Sequence, residues 1–132
     1  MPETRQILIV DDDEFLRKLL QMNLKQKLKN CSVLMAESGE TGIMKLEEKG
    51  IHVDLILVDL IMTGMNGFQF ISRVRENPKF KNTPILVMTA RSCNEDVNEA
   101  MALGAKDVLI KPFVPEELIR RIEQWLCLDK PE

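Results

Sequence analysis

The stretch Leu55-Ile56-Leu57-Val58-Asp59-Leu60-Ile61 is a continuous apolar run that contains a single carboxylate, Asp59. Because polar residues do not alternate with the apolar ones, the run predicts a strand buried on both faces, as strands of parallel sheets are. A second apolar run, 7–10, leads in the same way into Asp11-Asp12-Asp13. Two such strands lying side by side would bring their acids to one edge of the sheet, where ligands of open α/β sheets bind.

The rest of the chain repeats this alternation of strands and helices. Apolar runs predict strands at 6–10, 31–36, 55–61, 84–88 and 105–110. The predicted helices are one with Asp13 as N-cap, one over about 39–49, one ending at Asn77-Pro78, one over 94–103 and one over about 115–126. The predicted buried stripe of the first helix is formed by residues that recur every four positions, with Phe15 and Leu19 beside it: Leu16, Leu20, Leu24 and Leu28.

These elements predict a single α/β domain over residues 1–132. Each of the four crossovers between successive strands has the length that a parallel βαβ unit needs. Right-handed crossovers leave few topologies, and the common one at this length is a flavodoxin-like, doubly wound sheet in strand order 2-1-3-4-5 with five helices. The sequence shows no repeat, linker or low-complexity segment. We therefore expect no second domain within this chain.

Composition excludes several functional classes. With a net charge of −3, the chain lacks the basic balance that indicates nucleic-acid binding. It has neither a run long enough to span a membrane nor a signal peptide, which favours a cytoplasmic location. The three cysteines, Cys31, Cys93 and Cys127, are widely separated and are expected to remain reduced thiols. A single histidine, His52, cannot supply a histidine metal site or a serine–histidine triad.

Five polar residues follow or end the predicted strands at the same edge of the sheet. They are Asp11, Asp12, Asp59, Thr89 and Lys111. Clustered carboxylates repel one another unless a cation or a proton compensates, and hard carboxylate oxygens suit Mg²⁺. A carboxylate can also act as a nucleophile toward phosphorus, while a lysine ammonium and a hydroxyl offset charge on phosphoryl oxygens. The set therefore predicts phosphoryl chemistry at a magnesium site.

Four ordered motifs resemble those of the receiver domain of two-component response regulators. They are Ile7-Leu8-Ile9-Val10-Asp11-Asp12-Asp13, Leu57-Val58-Asp59 with Gly67 downstream, Val87-Met88-Thr89-Ala90 and Ile110-Lys111-Pro112-Phe113. The resemblance covers essentially the whole chain, and four motifs in one βα frame are far more specific than any one of them. It implies that Asp59 is the phosphoacceptor.

The same resemblance implies roles for the neighbouring residues. Mg²⁺ would be coordinated by Asp12, Asp59 and the main-chain carbonyl of Ile61, with Asp11 orienting the ion through water. Thr89 and Lys111 would contact the phosphoryl group, and the Lys111-Pro112 peptide bond would be cis.

Three positions depart from the usual receiver pattern. Thr63 stands where receivers have a proline, which predicts a less rigid loop beside the metal. Val108 replaces the aromatic residue whose ring normally turns inward during signalling, and Val114 cannot cap the last helix with a side-chain oxygen.

Ile61 and Arg91 occupy the two variable positions that flank the site. Apolar Ile61 cannot position an attacking water by hydrogen bonding, whereas Arg91 could cover the phosphoryl group electrostatically, so we predict a long-lived phosphoryl group.

We interpret the chain as a stand-alone receiver that takes a phosphoryl group from a phosphohistidine of a sensor kinase or phosphotransfer protein. It would catalyse its own phosphorylation and slow dephosphorylation without being a turnover enzyme. The phosphorylated surface would signal to a downstream protein effector, and the chain would be a monomer or weak dimer. A receiver cut from a longer protein is an open alternative.

Two other functions remain open at this stage. An interaction module that signals without phosphate is favoured by Val108 and disfavoured by the complete five-residue site. A phosphatase with an aspartate nucleophile would need an acid two residues after that nucleophile, where Asp59 has Ile61. Asp11 does have Asp13 at that spacing, but the threonine that normally follows in the phosphatase motif is missing.

Overall fold

A computed structural model describes residues 4–126, and Cys127 lies outside them. Within these residues the five strands are β1 (Arg5–Val10), β2 (Cys31–Ala36), β3 (Leu55–Asp59), β4 (Ile85–Thr89) and β5 (Asp107–Ile110). The helices of the same part of the chain are α1 (Glu14–Lys27), α2 (Gly39–Leu46), α3 (Gly67–Glu76), α4 (Asn94–Leu103) and α5 (Pro115–Leu126), with a 3₁₀ turn at Pro78–Phe80.

The sheet is parallel and has the order β2-β1-β3-β4-β5, which confirms the predicted flavodoxin-like topology. Two hydrophobic clusters cover its faces. One contains buried residues of α2, α3 and α4, and the other contains buried residues of α1 and α5. Successive residues of a strand point to opposite faces. In β3, for example, Ile56 and Val58 belong to the first cluster, whereas Leu55 and Leu57 belong to the second.

Strand β3 is shorter than predicted. All five of its residues are buried, but the strand ends at Asp59 instead of Ile61. The reason is a turn made by the carboxylate itself, because Asp59 Oδ1 accepts a hydrogen bond of 3.0 Å from the Ile61 N–H. The Ile61 N–H is therefore bonded to a side chain and does not continue the strand. Ile61 itself is 48% exposed.

Two further predicted boundaries are corrected. Helix α2 ends at Leu46 rather than near Lys49, because its last turn tightens and the Glu48 N–H donates to Lys45 O at 3.2 Å. Strand β5 begins at Asp107 rather than Ala105, since the Ala105 N–H closes the end of α4 through a 3.0 Å bond to Ala100 O.

Helix α1 begins as predicted, but one of its expected core residues is exposed. Asp13 is the N-cap, and its Oδ1 accepts a 3.2 Å bond from the Leu16 N–H. Leu20 and Leu24 are buried on the predicted stripe. Phe15 was placed beside that stripe incorrectly and is 75% exposed, because it lies in the first turn of α1, off the core-facing side.

Candidate functional site

Strand register brings the predicted site residues to one edge of the sheet. Val10 of β1 pairs with Val58 of β3, so Asp11 and Asp59 follow side by side. Thr89 pairs with Ile110, and Lys111 follows directly; its N–H donates to Thr89 O at 2.7 Å. The Lys111-Pro112 peptide bond is cis, as expected.

Lys111 joins the two aligned carboxylates. Its Nζ lies 2.8 Å from Asp59 Oδ2 and 3.2 Å from Asp11 Oδ2. The side chains of Asp11, Asp59 and Lys111 are 1%, 11% and 22% exposed, so this ion-pair cluster is largely shielded from water. Shielding strengthens electrostatic interactions relative to those on the surface.

The charges of this cluster do not balance, because one ammonium, on Lys111, faces the carboxyl groups of Asp11 and Asp59. Burial raises the pKa of the Asp11 carboxyl despite the Asp13 N–H and the Lys111 charge, which act in the opposite direction. Burial by itself would lower the pKa of the Lys111 ammonium. The hydrogen bond to Asp59 and the charges of both carboxylates outweigh it, so the pKa of Lys111 is raised. The lysine is therefore held in its charged form between two acids.

Gly67 fixes the backbone of the segment that carries Asp59. Its N–H donates to Leu60 O at 2.9 Å, and a Cβ at this position would lie 2.5 Å from Asp59 O and 2.6 Å from Leu60 Cα. Only glycine, which has no Cβ, allows α3 to begin this close to the end of β3. The cap on Asn66 completes this helix start, since Asn66 and Gln69 form a reciprocal capping box.

Thr89 is fully buried, and its hydroxyl contacts the backbone of Arg91, whose side chain pairs with Asp96 in the first turn of α4. Its Oγ1 accepts a 3.1 Å bond from the Arg91 N–H. The Arg91 Nε donates to Asp96 Oδ2 at 2.5 Å, and the Asp96 side chain is only 12% exposed. Arg91 was predicted to cover the phosphoryl group, whereas here its guanidinium is engaged by α4.

Asp12 is separated from the ion-pair cluster. It is exposed, and its Oδ2 accepts bonds from the Thr63 N–H at 3.0 Å and the Thr63 hydroxyl at 3.4 Å. Within residues 4–126, no three acidic, cysteine or histidine side chains are gathered as a ready metal-ligand group. The three predicted metal-binding acids thus share one edge of the sheet but do not converge on one point.

The sequence did not identify three residues that support the site through their contacts. The Arg17 Nη1 donates to the Asp11 carbonyl at 2.7 Å, Glu40 Oε2 accepts from the Met65 N–H at 3.1 Å, and Asp96 pairs with Arg91. Arg17 and Glu40 are charged residues at accessible helix positions, where charges are ordinary, so their residue types gave no signal. Asp96 is buried, but an acid in the first turn of a helix is also common, so it was not singled out either. The predicted modulating residue Val108 is half-buried and packs against the cluster of α2, α3 and α4.

Comparison with known proteins places these features in a family context. The family model described as "Response regulator receiver domain" matches residues 7–123. The chain is 36% identical over 120 residues to the transcriptional regulatory protein ResD of Bacillus subtilis, covering 91% of this chain and 47% of that protein. It is 38% identical over 125 residues to an uncharacterized 14.6 kDa protein of Leptolyngbya boryana, covering 95% of this chain and 92% of that protein. The chain spans about half the length of ResD and of a phosphate regulon regulator, PhoB of Rhizobium meliloti.

Solved structures agree with these matches. The chemotaxis protein CheY4 of Vibrio cholerae superimposes with a TM-score of 0.86 at 32% identity, covering 93% of this chain and 99% of that one. A two-component response regulator from Clostridium difficile gives 0.84 at 26% identity, covering 96% and 99%. Among residues 4–126, no helix has the length and apolar character needed to cross a bilayer.

Proposed function

This chain belongs to the response regulator receiver domain family of two-component signal transduction, and from that premise we propose that it accepts a phosphoryl group on Asp59. The donor would be a phosphohistidine on a sensor histidine kinase or a phosphotransfer protein, and the reader would be a downstream effector protein. Receiver domains in general depend on Mg²⁺ and act as phosphoacceptors rather than as turnover enzymes.

The observation that carries this proposal is the bridge from Lys111 to Asp11 and Asp59. It gives Asp59 a cation 2.8 Å from one carboxylate oxygen, while Ile61 N–H donates to the other oxygen at 3.0 Å. The nucleophile is thus oriented by two donors at the open edge of the sheet. The same ammonium could follow the negative charge onto a phosphoryl oxygen during transfer.

The donor set fits Mg²⁺. Carboxylate and carbonyl oxygens are the ligands that this hard cation prefers, and it commonly takes one or two carboxylates together with waters and phosphate oxygens. We propose that Asp12, Asp59 and the Ile61 carbonyl would hold the ion, with Asp11 acting through water. Bound Mg²⁺ would offset charge on the transferring phosphoryl oxygens.

The transfer would be a displacement at phosphorus. An oxygen of the Asp59 carboxylate forms the new P–O bond while the P–N bond of the donor breaks, and its electron pair stays on the imidazole. The imidazole then takes a proton from solvent. Because Thr89 Oγ1 accepts from the Arg91 N–H, the hydroxyl proton of Thr89 remains available to donate to a phosphoryl oxygen.

The chain is a poor candidate to be its own donor. His52 is its one histidine, and it pairs with Asp54 at 3.2 Å just before β3 begins. Asp54 and Asp59 lie at opposite ends of that strand, roughly 16 Å apart at about 3.3 Å per residue. A phosphoryl group on His52 would therefore be at the wrong edge of the sheet, so a phosphohistidine donor is expected to lie on another molecule.

The test is the intact mass of the chain after incubation with Mg²⁺ and acetyl phosphate or phosphoramidate. We expect one added phosphoryl group, lost in the Asp59→Asn variant and on removal of Mg²⁺ by EDTA. Asp13→Asn is the matched control, because asparagine also caps helices and the phosphoryl group should still be added.

Two outcomes would favour the alternatives. If the chain binds Mg²⁺ but neither these donors nor a phosphohistidine protein modify it, the proposal is wrong. A module that signals without phosphate, for which Val108 in place of the switch aromatic is the supporting observation, would then replace it. Sustained hydrolysis of a phosphomonoester would instead identify an aspartate-dependent phosphatase.

A further inference from the structure

The Asp12 carboxylate is bonded to one residue of the loop that follows β3, Thr63. The Thr63 N–H donates to Asp12 Oδ2 at 3.0 Å, which is good hydrogen-bond geometry, and the Thr63 hydroxyl approaches the same oxygen at 3.4 Å. Asp11 and Asp59, by contrast, share the Lys111 ammonium. The carboxylates at this edge are therefore divided into a lysine-bound pair and a loop-bound single acid.

The loop that holds Asp12 is itself fixed from a second side. Glu40 of α2 accepts the Met65 N–H at 3.1 Å, two residues after Thr63. Gly64, between them, has a φ of +79°, and a Cβ there would lie 3.0 Å from Glu40 Oε2. Two carboxylates from different elements thus hold the segment 63–65 at both ends. This arrangement keeps the Thr63 N–H directed at Asp12.

We propose that Thr63 is a positioning residue that holds Asp12 in a resting position and thereby weakens Mg²⁺ binding. The inference rests on the proposed function only in taking Asp12 as a ligand of that ion. To join Asp11 and Asp59 around a cation, Asp12 gives up the bond from the Thr63 N–H. Hydrogen bonds to a charged acceptor are among the stronger ones in proteins, so their loss opposes binding.

The chemistry of the two donors predicts different effects for two substitutions. Thr63→Pro removes the N–H, because proline has no amide proton, and also removes the hydroxyl. We expect it to tighten Mg²⁺ binding about tenfold, equivalent to 1.4 kcal/mol. Thr63→Val keeps the N–H and loses only the longer hydroxyl contact. We expect its Kd for Mg²⁺ to stay within about twofold of that of the native chain.

Isothermal titration of each protein with MgCl₂ measures these affinities directly, without any phosphoryl donor. Tighter binding by Thr63→Pro, with little change for Thr63→Val, supports the inference. An unchanged or weaker affinity in a folded Thr63→Pro variant overturns it, because Thr63 would then support Asp12 as a ligand instead of competing for it.

A second measurement uses the native chain and does not depend on a proline variant folding. The Thr63 amide should lose hydrogen-exchange protection, and its proton resonance should move upfield, when Mg²⁺ saturates the site. Retained protection overturns the inference. Neither readout involves phosphorylation of Asp59, so the two proposals can fail separately. A native chain that is phosphorylated, but whose Thr63 N–H stays bonded to Asp12 when Mg²⁺ saturates the site, would refute this inference and leave the proposed function intact.

Discussion

Gly67→Ala should damage this fold far more than a glycine-to-alanine change at the start of a helix normally does. The new Cβ would lie 2.5 Å from Asp59 O, which is 0.9 Å short of the 3.4 Å where ordinary contact begins. The next nearest atom is Leu60 Cα at 2.6 Å, so both neighbours are backbone atoms of one segment. Neither can rotate away, and either α3 or the end of β3 must move.

Gly39 provides a matched control because it is also the buried first residue of a helix that follows a polar N-cap. A Cβ at Gly39 would lie 2.9 Å from Met65 Sδ and 3.0 Å from Met65 Cβ and Cγ, all atoms of one side chain and none of them backbone. Overpacking that forces backbone shifts costs about 1–3 kcal/mol, occasionally more. We therefore expect Gly67→Ala to lose about 3 kcal/mol of unfolding free energy and Gly39→Ala about 1 kcal/mol or less.

Urea unfolding followed by far-UV circular dichroism measures both variants. With a slope of about 2 kcal/mol per molar urea, a loss of 3 kcal/mol lowers the midpoint by about 1.5 M. Because the contact is with the carbonyl of Asp59, we also expect phosphorylation to slow by up to about 100-fold. Equal midpoints for Gly67→Ala and the native chain would refute the steric reasoning. A normal phosphorylation rate in a destabilised variant would show that α3 absorbs the shift.

Three other predictions follow from particular contacts. Arg75 donates to four backbone carbonyls among the described residues, so Arg75→Met should cost about 2–3 kcal/mol in urea unfolding. Arg73→Met, which loses only a half-exposed 4.0 Å ion pair, should cost less than about 0.5 kcal/mol, and equal losses would contradict this distinction. Ile61→Asn should speed phosphoryl loss about tenfold, measured by phosphoprotein decay, because an amide can orient a water; an unchanged rate would count against the role of Ile61. Burial raises the pKa of the Cys31 thiol, so iodoacetamide at pH 8 should modify exposed Cys93 faster than half-buried Cys31, and faster labelling of Cys31 in peptide mass mapping would be inconsistent with its burial.

Hydrophobic patterning predicted the alternation of strands and helices, and the usual handedness and strand order of such sheets then predicted the topology. The apolar run ending at Asp59 is buried on both faces because helices cover both sides of a parallel sheet, and the pattern reports that burial directly. The boundaries were less predictable where a local hydrogen bond competes with the ladder. The Asp59 carboxylate accepts a hydrogen bond from the Ile61 N–H, and β3 ends two residues before the predicted end. Neither Leu60, which is buried, nor Ile61, which is apolar, signals this end in the sequence.

The period of two along a strand also explains which acids meet. Asp11 and Asp59 continue the alternate positions of Ile9 and Leu57, which face the cluster of α1 and α5, and Lys111 continues that of Leu109 in the same way. Asp12 continues the other set of alternate positions, which face the opposite side of the sheet, and it is bonded to Thr63. The strand ends could thus be predicted to share an edge. The partners of Asp12 depend on the loop conformation, which no periodicity encodes.

The division of charge at this edge favours binding of a divalent cation. One ammonium, on Lys111, faces the carboxylates of Asp11 and Asp59, and the donors to Asp12 are the neutral groups of Thr63. If all three acids are ionised, they carry two more negative charges than Lys111 offsets. Burial, and to a lesser extent the charge of Asp59, raises the pKa of the Asp11 carboxyl, so its ionised form is disfavoured in the folded chain. A divalent cation bound here would relieve the repulsion that Lys111 leaves, and on the inference drawn from Thr63 it would do so best once Asp12 is free of Thr63.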